Sequence, residues 1–311
     1  MKKFFLFSCL IILNFGCSQS TKSNDFNIKQ VAQDKQILYM IEGIAGIPIV
    51  VYFNDIKISE ENTPLNTAID LNPYVLKNGK YKIRIKIFPV FRSGQTIISP
   101  EDIKTCRFSF GSYIRNKKTD DITNYNAGLS LPITIPSKSL PYFEQEWEIE
   151  IKDLPYELEG WSKGQDLRKL DQKQLENKAI SFHEKLRKIL NDGNADEWIK
   201  LTNKRSLETS IFYYSDTQDF EKALTNNTED VTNRCKNNMI SLEDYEMKIY
   251  ADGKLVTLER KTHTKGFNNK SPLDLKGWGA LIRKGQKSGA ADYRVLLYLP
   301  EDSNDFVIIR K

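Results

Sequence analysis

Few side chains in this 311-residue chain are of types that move protons or hold ligands, and spacing decides what each can do. His183 is one of two histidines. It follows Phe182, four residues after Ala179 and three before Leu186, so on a helix it lies beside the apolar stripe. There an imidazole in a pocket could carry a proton near neutral pH. No acid stands at a matching spacing, and a boundary histidine partly covered by neighbouring strands is the plainer reading. His263 falls within Lys261 to Gly277, a loop rich in Lys, Gly, Asn and Ser that ends at Trp278. That loop is the expected binding edge, with a solvated insertion as the alternative. Trp198, on a short helix, and Trp278 complete the candidate ligand-binding set. Asp244 and Glu246 share a face two residues apart on an expected strand. They alternate with Tyr245, Met247 and Ile249, which reads as a wet face rather than an acid pair. The chain has no G-x-S-x-G, H-E-x-x-H, phosphate-binding or dinucleotide-binding motif. No catalytic residue is assigned and no cofactor is expected.

The one cysteine whose position implies chemistry is Cys17. Lys2 and Lys3 open the chain, Phe4 to Leu13 form a short apolar run, and Gly16 precedes the cysteine. The run is too short for a helix spanning a bilayer core of about 30 Å. The segment resembles a bacterial lipobox, with Asn14 where the pattern prefers leucine. The resemblance implies removal of residues 1–16, lipidation of Cys17 and attachment to a membrane. Ser18 after the cysteine implies the outer membrane. The alternatives are ordinary cleavage of a secreted protein and a retained anchor. Beyond the leader 44 basic residues face 41 acidic ones, dispersed along the chain, which argues against nucleic acid as a partner. Cys106 and Cys235 fall in different expected domains and read as two buried free thiols. With two histidines and no C-x-x-C, ligand spacing for a metal is missing.

These residues must be positioned by a tether and two domains. Residues 17–35 are polar and read as a flexible arm. Residues 36–154 read as an antiparallel β-sandwich of about seven short strands. Ile37 to Ile41 and Ile47 to Phe53 are strands separated by Gly43 and Gly46. The clearest strand is Lys80 to Phe88, with Tyr81, Ile83, Ile85 and Ile87 on one face and Lys82, Arg84 and Lys86 on the other. Glu146 to Lys152 alternates Trp147, Ile149 and Ile151 with glutamates. The opposite charges of these two strands predict that they are neighbours in one sheet. Thr105 to Ile114 and Gly128 to Ile135 add further strands. Leu71 to Pro89 resembles a segment of jelly-roll and immunoglobulin-like accessory domains. Such domains bind glycans or proteins or act as spacers, and Tyr52, Phe53, Tyr74, Phe91, Tyr125, Tyr142 and Phe143 could stack on sugars if exposed.

Residues 155–168 read as a linker and 169–311 as an α+β domain. Asp171 with Gln174 predicts the start of a 20-residue amphipathic helix that Asn191-Asp192-Gly193 stops. Asn194 caps a second, shorter helix, and a third begins near Thr217. Tyr245 to Tyr250 and Leu255 to Arg260 flank an Asp-Gly hairpin turn. Gly279 to Lys284, Tyr293 to Leu299 and Phe306 to Arg310 are expected to complete the same sheet. The helix ending KLRKILNDGNADEWIKL, Lys185 to Leu201, and the closing strands YRVLLYLPEDSNDFVIIRK resemble the nuclear-transport-factor-2-like family. A cystatin-like arrangement fits the same element order. The former resemblance implies a pocket between helices and a curved sheet, used for catalysis in some members and for docking in others. The expected role is a non-catalytic binding or scaffolding lipoprotein of a bacterial envelope with an envelope protein as partner. An immunity protein against an interbacterial toxin is a specific form of it. An enzyme using the pocket and a glycan-binding lipoprotein are the alternatives.

Overall fold

The structure, a computed structural model, describes residues 30–61, 64–90, 94–262, 274–285 and 289–311. Cys17 and His263 lie outside the described residues. The chain is a mixed α+β protein built on antiparallel sheets, with no closed barrel. Eight strands come first: β1 (Ile37–Ala45), β2 (Ile49–Phe53), β3 (Ile56–Glu61), β4 (Leu65–Asp70), β5 (Gly79–Ile87), β6 (Arg107–Arg115), β7 (Ile122–Ser130) and β8 (Phe143–Ile151). A short helix, α1 (Pro100–Lys104), precedes β6. They form two four-stranded sheets, ordered β4-β1-β6-β7 and β3-β2-β5-β8. Ile41 and Phe108 of the first sheet share one apolar cluster with Val51, Ile83 and Ile151 of the second. β1 runs unbroken through Gly43. A methyl group there would come within 2.8 Å of Leu65 and 3.0 Å of Phe108, so those side chains occupy the space a larger residue would need.

β5 and β8 are paired as their charges predict, with Lys82 opposite Glu148 and Arg84 opposite Glu146. The ion pairs nevertheless run diagonally. Lys80 meets Glu148 at 2.7 Å, Lys82 meets Glu146 at 2.8 Å and Arg84 meets Glu144 at 3.0 Å. Strand twist brings diagonal neighbours within reach of long side chains. Because Lys82 and Glu146 are solvated, Lys82→Glu is expected to leave the urea midpoint close to that of wild type.

The segment joining the two halves of the chain is partly buried. Leu158 donates its N–H to Leu76 O at 2.7 Å, Gly160 donates to Glu208 Oε1 at 3.1 Å, and Trp161 is buried against Ile56 and Tyr298. The helices follow: α2 (Gln172–Asp192), α3 (Ala195–Phe212) and α4 (Thr217–Glu229), the last continued by a π-helical turn, Asp230–Cys235. The Asp171 carboxylate caps α2 by accepting from Gln174 N at 2.8 Å, and Gly193 ends it with φ of 70°. Asn194 and Asp216 cap the next two in the same way. α3 is nearly as long as α2 rather than the short helix its few apolar residues suggest, because it packs on α4 and on the closing strand.

The last sheet, ordered β14-β13-β10-β9, uses β9 (Tyr245–Tyr250), β10 (Leu255–Arg260), β13 (Leu296–Tyr298) and β14 (Val307–Arg310). β11 (Ile282–Lys284) and β12 (Ala290–Asp292) pair with each other instead of extending it. Gly279, just before the ribbon, bridges to Glu259 of β10 and lies against the backbone of Arg294. Both faces of the sheet are covered. Val256 and Leu258 pack under α2, whereas Leu255 and Leu296 pack on Ile56 and Trp161 of the first half. Cys106 and Cys235 are free and buried, in separate clusters. Among the described residues no helix is long and apolar enough to cross a membrane.

Candidate functional site

The inner face of α3 explains where the chain leaves space. Trp198, Thr202, Arg205, Thr209 and Ser210 follow one another at helical spacing, and the hydroxyls turn back on the helix: Thr202 Oγ1 donates to Trp198 O at 2.8 Å and Thr209 Oγ1 to Arg205 O at 2.7 Å. Short side chains bonded to their own helix do not reach across to α4. A cavity of about 660 Å³ remains between α3, α4, the Pro73–Tyr74 corner of the first half and the segment Asp292–Arg294. Its volume is in the range of small-molecule sites. The walls are aromatic and cationic. Phe220 of α4 and Tyr293 face it with Trp198, and Arg205, Arg294 and Arg310 all line it.

The three guanidinium groups differ in what neutralises them. Arg310 is 2% exposed, pairs with Glu208 at 2.7 Å and donates to Pro73 O at 2.5 Å. Its charge lies over the Trp161 and Phe212 rings, and its Nη2 has no hydrogen-bond partner among the described residues. Burial lowers its pKa and Glu208 offsets part of that. Arg294 is held by Glu259; burial is the largest influence and opposes its charge, but Glu259 together with Tyr250, Tyr74 and Asp292 outweighs it and raises the pKa. Arg205 is half-buried and has no carboxylate within ion-pair distance among the described residues. Its contact is the Trp198 ring, 5.5 Å from the guanidinium carbon. Burial alone pulls its pKa down to about 10.

The acids in the wall are engaged. Asp219 binds Lys117 at 2.9 Å, Asp230 accepts from the Tyr293 hydroxyl and lies 3.6 Å from Arg234, and Asp292 accepts from Gly279 N at 2.8 Å. Burial, then the bond to Asp230, raises the Tyr293 pKa and keeps that phenol neutral. Cations with stacking walls suit the holding of an anion on an apolar body.

Glu259 ties this cavity to a second buried cluster. It lies on β10 with Leu255 and Thr257, on the face turned toward the first half. There its carboxylate meets Lys57 of β3 at 2.6 Å, the Tyr250 hydroxyl at 3.0 Å and Arg294. Lys57 also binds Glu60 at 2.6 Å and Gly277 O at 3.2 Å. A smaller cavity of about 340 Å³ opens beside them, lined by Tyr52 and Lys276 among others. Neither the family models, nor the curated proteins, nor the solved structures compared with the chain match it. Functional inference therefore rests on these residues.

Of the candidate ligand-binding residues that are described, Trp198 lines the larger cavity, with its Nε1 donating to Asn227 Oδ1 at 3.2 Å, and Tyr74 from the aromatic set lines it too. His183 is 1% exposed, not a partly covered boundary residue; its Nδ1 lies 2.8 Å from Ala179 O, and burial lowers its pKa to about 4. It lines neither cavity. Trp278 packs on Ile240, Leu275 and Ile282, away from both. Asp244 precedes β9 with φ of 49° and accepts from the Thr262 hydroxyl, so it does not share a strand face with Glu246. Phe53 and Phe143 are core residues; Tyr125 and Tyr142 are exposed. Arg205, Arg294 and Arg310 went unnoticed, although each left a trace. Arg205 lies seven residues after Trp198, hence on its face of α3, and the other two are cations within apolar closing strands.

Proposed function

We propose that the chain is a non-catalytic binding lipoprotein of a bacterial envelope, acylated at Cys17. In this reading an N-terminal β-sandwich and a nuclear-transport-factor-2-like domain are fused so that a ligand-holding cleft forms where they meet. The observation that carries the binding role is Arg205, set over Trp198 in a cavity of about 660 Å³ with no carboxylate among the described residues to neutralise it. Such a site attracts an anion and supplies no matched acid and base to transform it. His183, the proton-transfer candidate of an enzymatic reading, is sealed in the core on the inner face of α2.

Two measurements test this. A Cys17→Ser protein is expected to move from the membrane to the soluble fraction; fractionation unchanged from wild type would overturn the tether. Protein purified from envelope extract is expected to release, on denaturation, a compound identical in mass before and after incubation with it. Conversion of that compound would overturn the non-catalytic role.

A protein partner, including a toxin neutralised by the chain, is the second reading. β7 favours it, being an edge strand exposed along all nine residues and carrying Ile122, Tyr125 and Leu129. An edge of this kind accepts another strand.

A further inference from the structure

We infer that the cleft between α3 and α4 is selective for an organic carboxylate of single negative charge attached to an aromatic or otherwise flat apolar body. The inference rests on the binding reading above and names the ligand class that reading leaves open. Charge sets the head group. Arg294 is matched by Glu259, and Arg310 by Glu208, so Arg205 is the cation in the interior wall that still lacks a counterion among the described residues. Lys311 adds a solvated charge at the rim. One uncompensated guanidinium matches one carboxylate, which it can grip through two parallel N–H donors. A phosphate dianion would bring a second charge close to Asp219, Asp230 and Asp292 in the same wall.

The walls set the rest of the ligand. Trp198 and Tyr293 stand edge to face, with ring centres 6.3 Å apart, and Phe220 lies in the opposite wall. A flat body bound between them keeps its carboxylate beside Arg205, whose own cation–ring contact with Trp198 already orients the guanidinium. Arg310, which also lines the cavity, has an Nη2 with no hydrogen-bond partner among the described residues, a second unused donor in the wall. Arg205 thus carries an electrostatic burden in the empty protein that ligand binding relieves. That pattern belongs to a binding residue rather than a structural one.

The experiment uses the protein beginning at residue 18 and three probes of one shape: 1-naphthylacetate, its uncharged methyl ester and 1-naphthyl phosphate. Calorimetric titration is expected to show saturable binding of the carboxylate, at least tenfold weaker binding of the phosphate and none of the ester. Arg205→Met should weaken carboxylate binding tenfold or more while raising the melting temperature of the empty protein by ~2–4 °C, because the unpaired half-buried charge is gone. Arg205→Lys, which keeps the charge but loses the paired N–H donors and the flat contact with Trp198, should bind more weakly than wild type and more tightly than Arg205→Met. Equal binding of the ester and the carboxylate, undiminished binding by Arg205→Met, or no saturable binding of any probe would each overturn the inference. None of these would bear on the Cys17 tether, whose failure is read separately by fractionation.

Discussion

Glu259→Ala is expected to lower the unfolding free energy by about 3–5 kcal/mol, the largest loss of any single substitution considered. Glu259 is 1% exposed, and its carboxylate is shared by Lys57, Arg294 and the Tyr250 hydroxyl. Removing it leaves Lys57, itself 5% exposed, with Glu60 as its remaining carboxylate, and leaves Arg294 with none among those in ion-pair contact. A buried cation stripped of its counterion loses several times what a solvated pair would lose, because water cannot replace the lost partner. Lys57 lies in the first half of the chain and Glu259 in the second, so the loss falls on the seam between them. Urea denaturation followed by tryptophan fluorescence measures the change. A Lys57→Met, Glu259→Leu protein should recover 1–3 kcal/mol of the summed single losses, since the two charges are then removed together. A Glu259→Ala protein within about 1 kcal/mol of wild type would show that the cluster is solvated and contributes little.

The second large effect is a loss of stability in acid traced to His183. The imidazole is held neutral by burial, with its pKa lowered from 6.5 to about 4. Between those values the unfolded chain binds a proton that the folded chain does not, so stability falls as pH drops from about 6.5 toward 4 and is fully present above that window. The shift corresponds to about 3 kcal/mol across the window. Carboxylates add their own acid dependence, so the test is a difference. His183→Leu should match wild type within about 1 kcal/mol at pH 7, where the lost contact is a bond to the Ala179 carbonyl, and should lie roughly 3 kcal/mol above it near pH 4. Parallel curves for the two proteins over that range would mean the histidine reaches water.

Much of the fold was legible because its signals are local. The alternation in β5 and β8 reports which face is buried, and opposite charges on the outward faces name the partner strand. Asp171, Gly193, Asn194 and Asp216 mark helix ends through bonds to backbone groups two or three residues away. Where such signals are weak the sequence misleads. α3 reads as short because few apolar residues mark it, and Ser206, Thr209 and Ser210 on that helix line the cavity. The segment that forms β11 reads as part of the main sheet because strand pattern carries no information about which edge a strand joins.

What the sequence determined by itself is the balance of charge, the order of strands and helices and the faces those elements bury. These follow from composition, caps and periodicity, which act over a few residues. The tertiary structure alone decided that His183 is sealed in the core, that Trp198 opens onto a cavity, and that Lys57 and Glu259, 202 positions apart, share one buried pocket of charge. It also decided that Arg205 faces no carboxylate among the described residues. Whether a charge is matched depends on what every other element brings to within about 4 Å of it, and no pattern of neighbours along the chain encodes that distance.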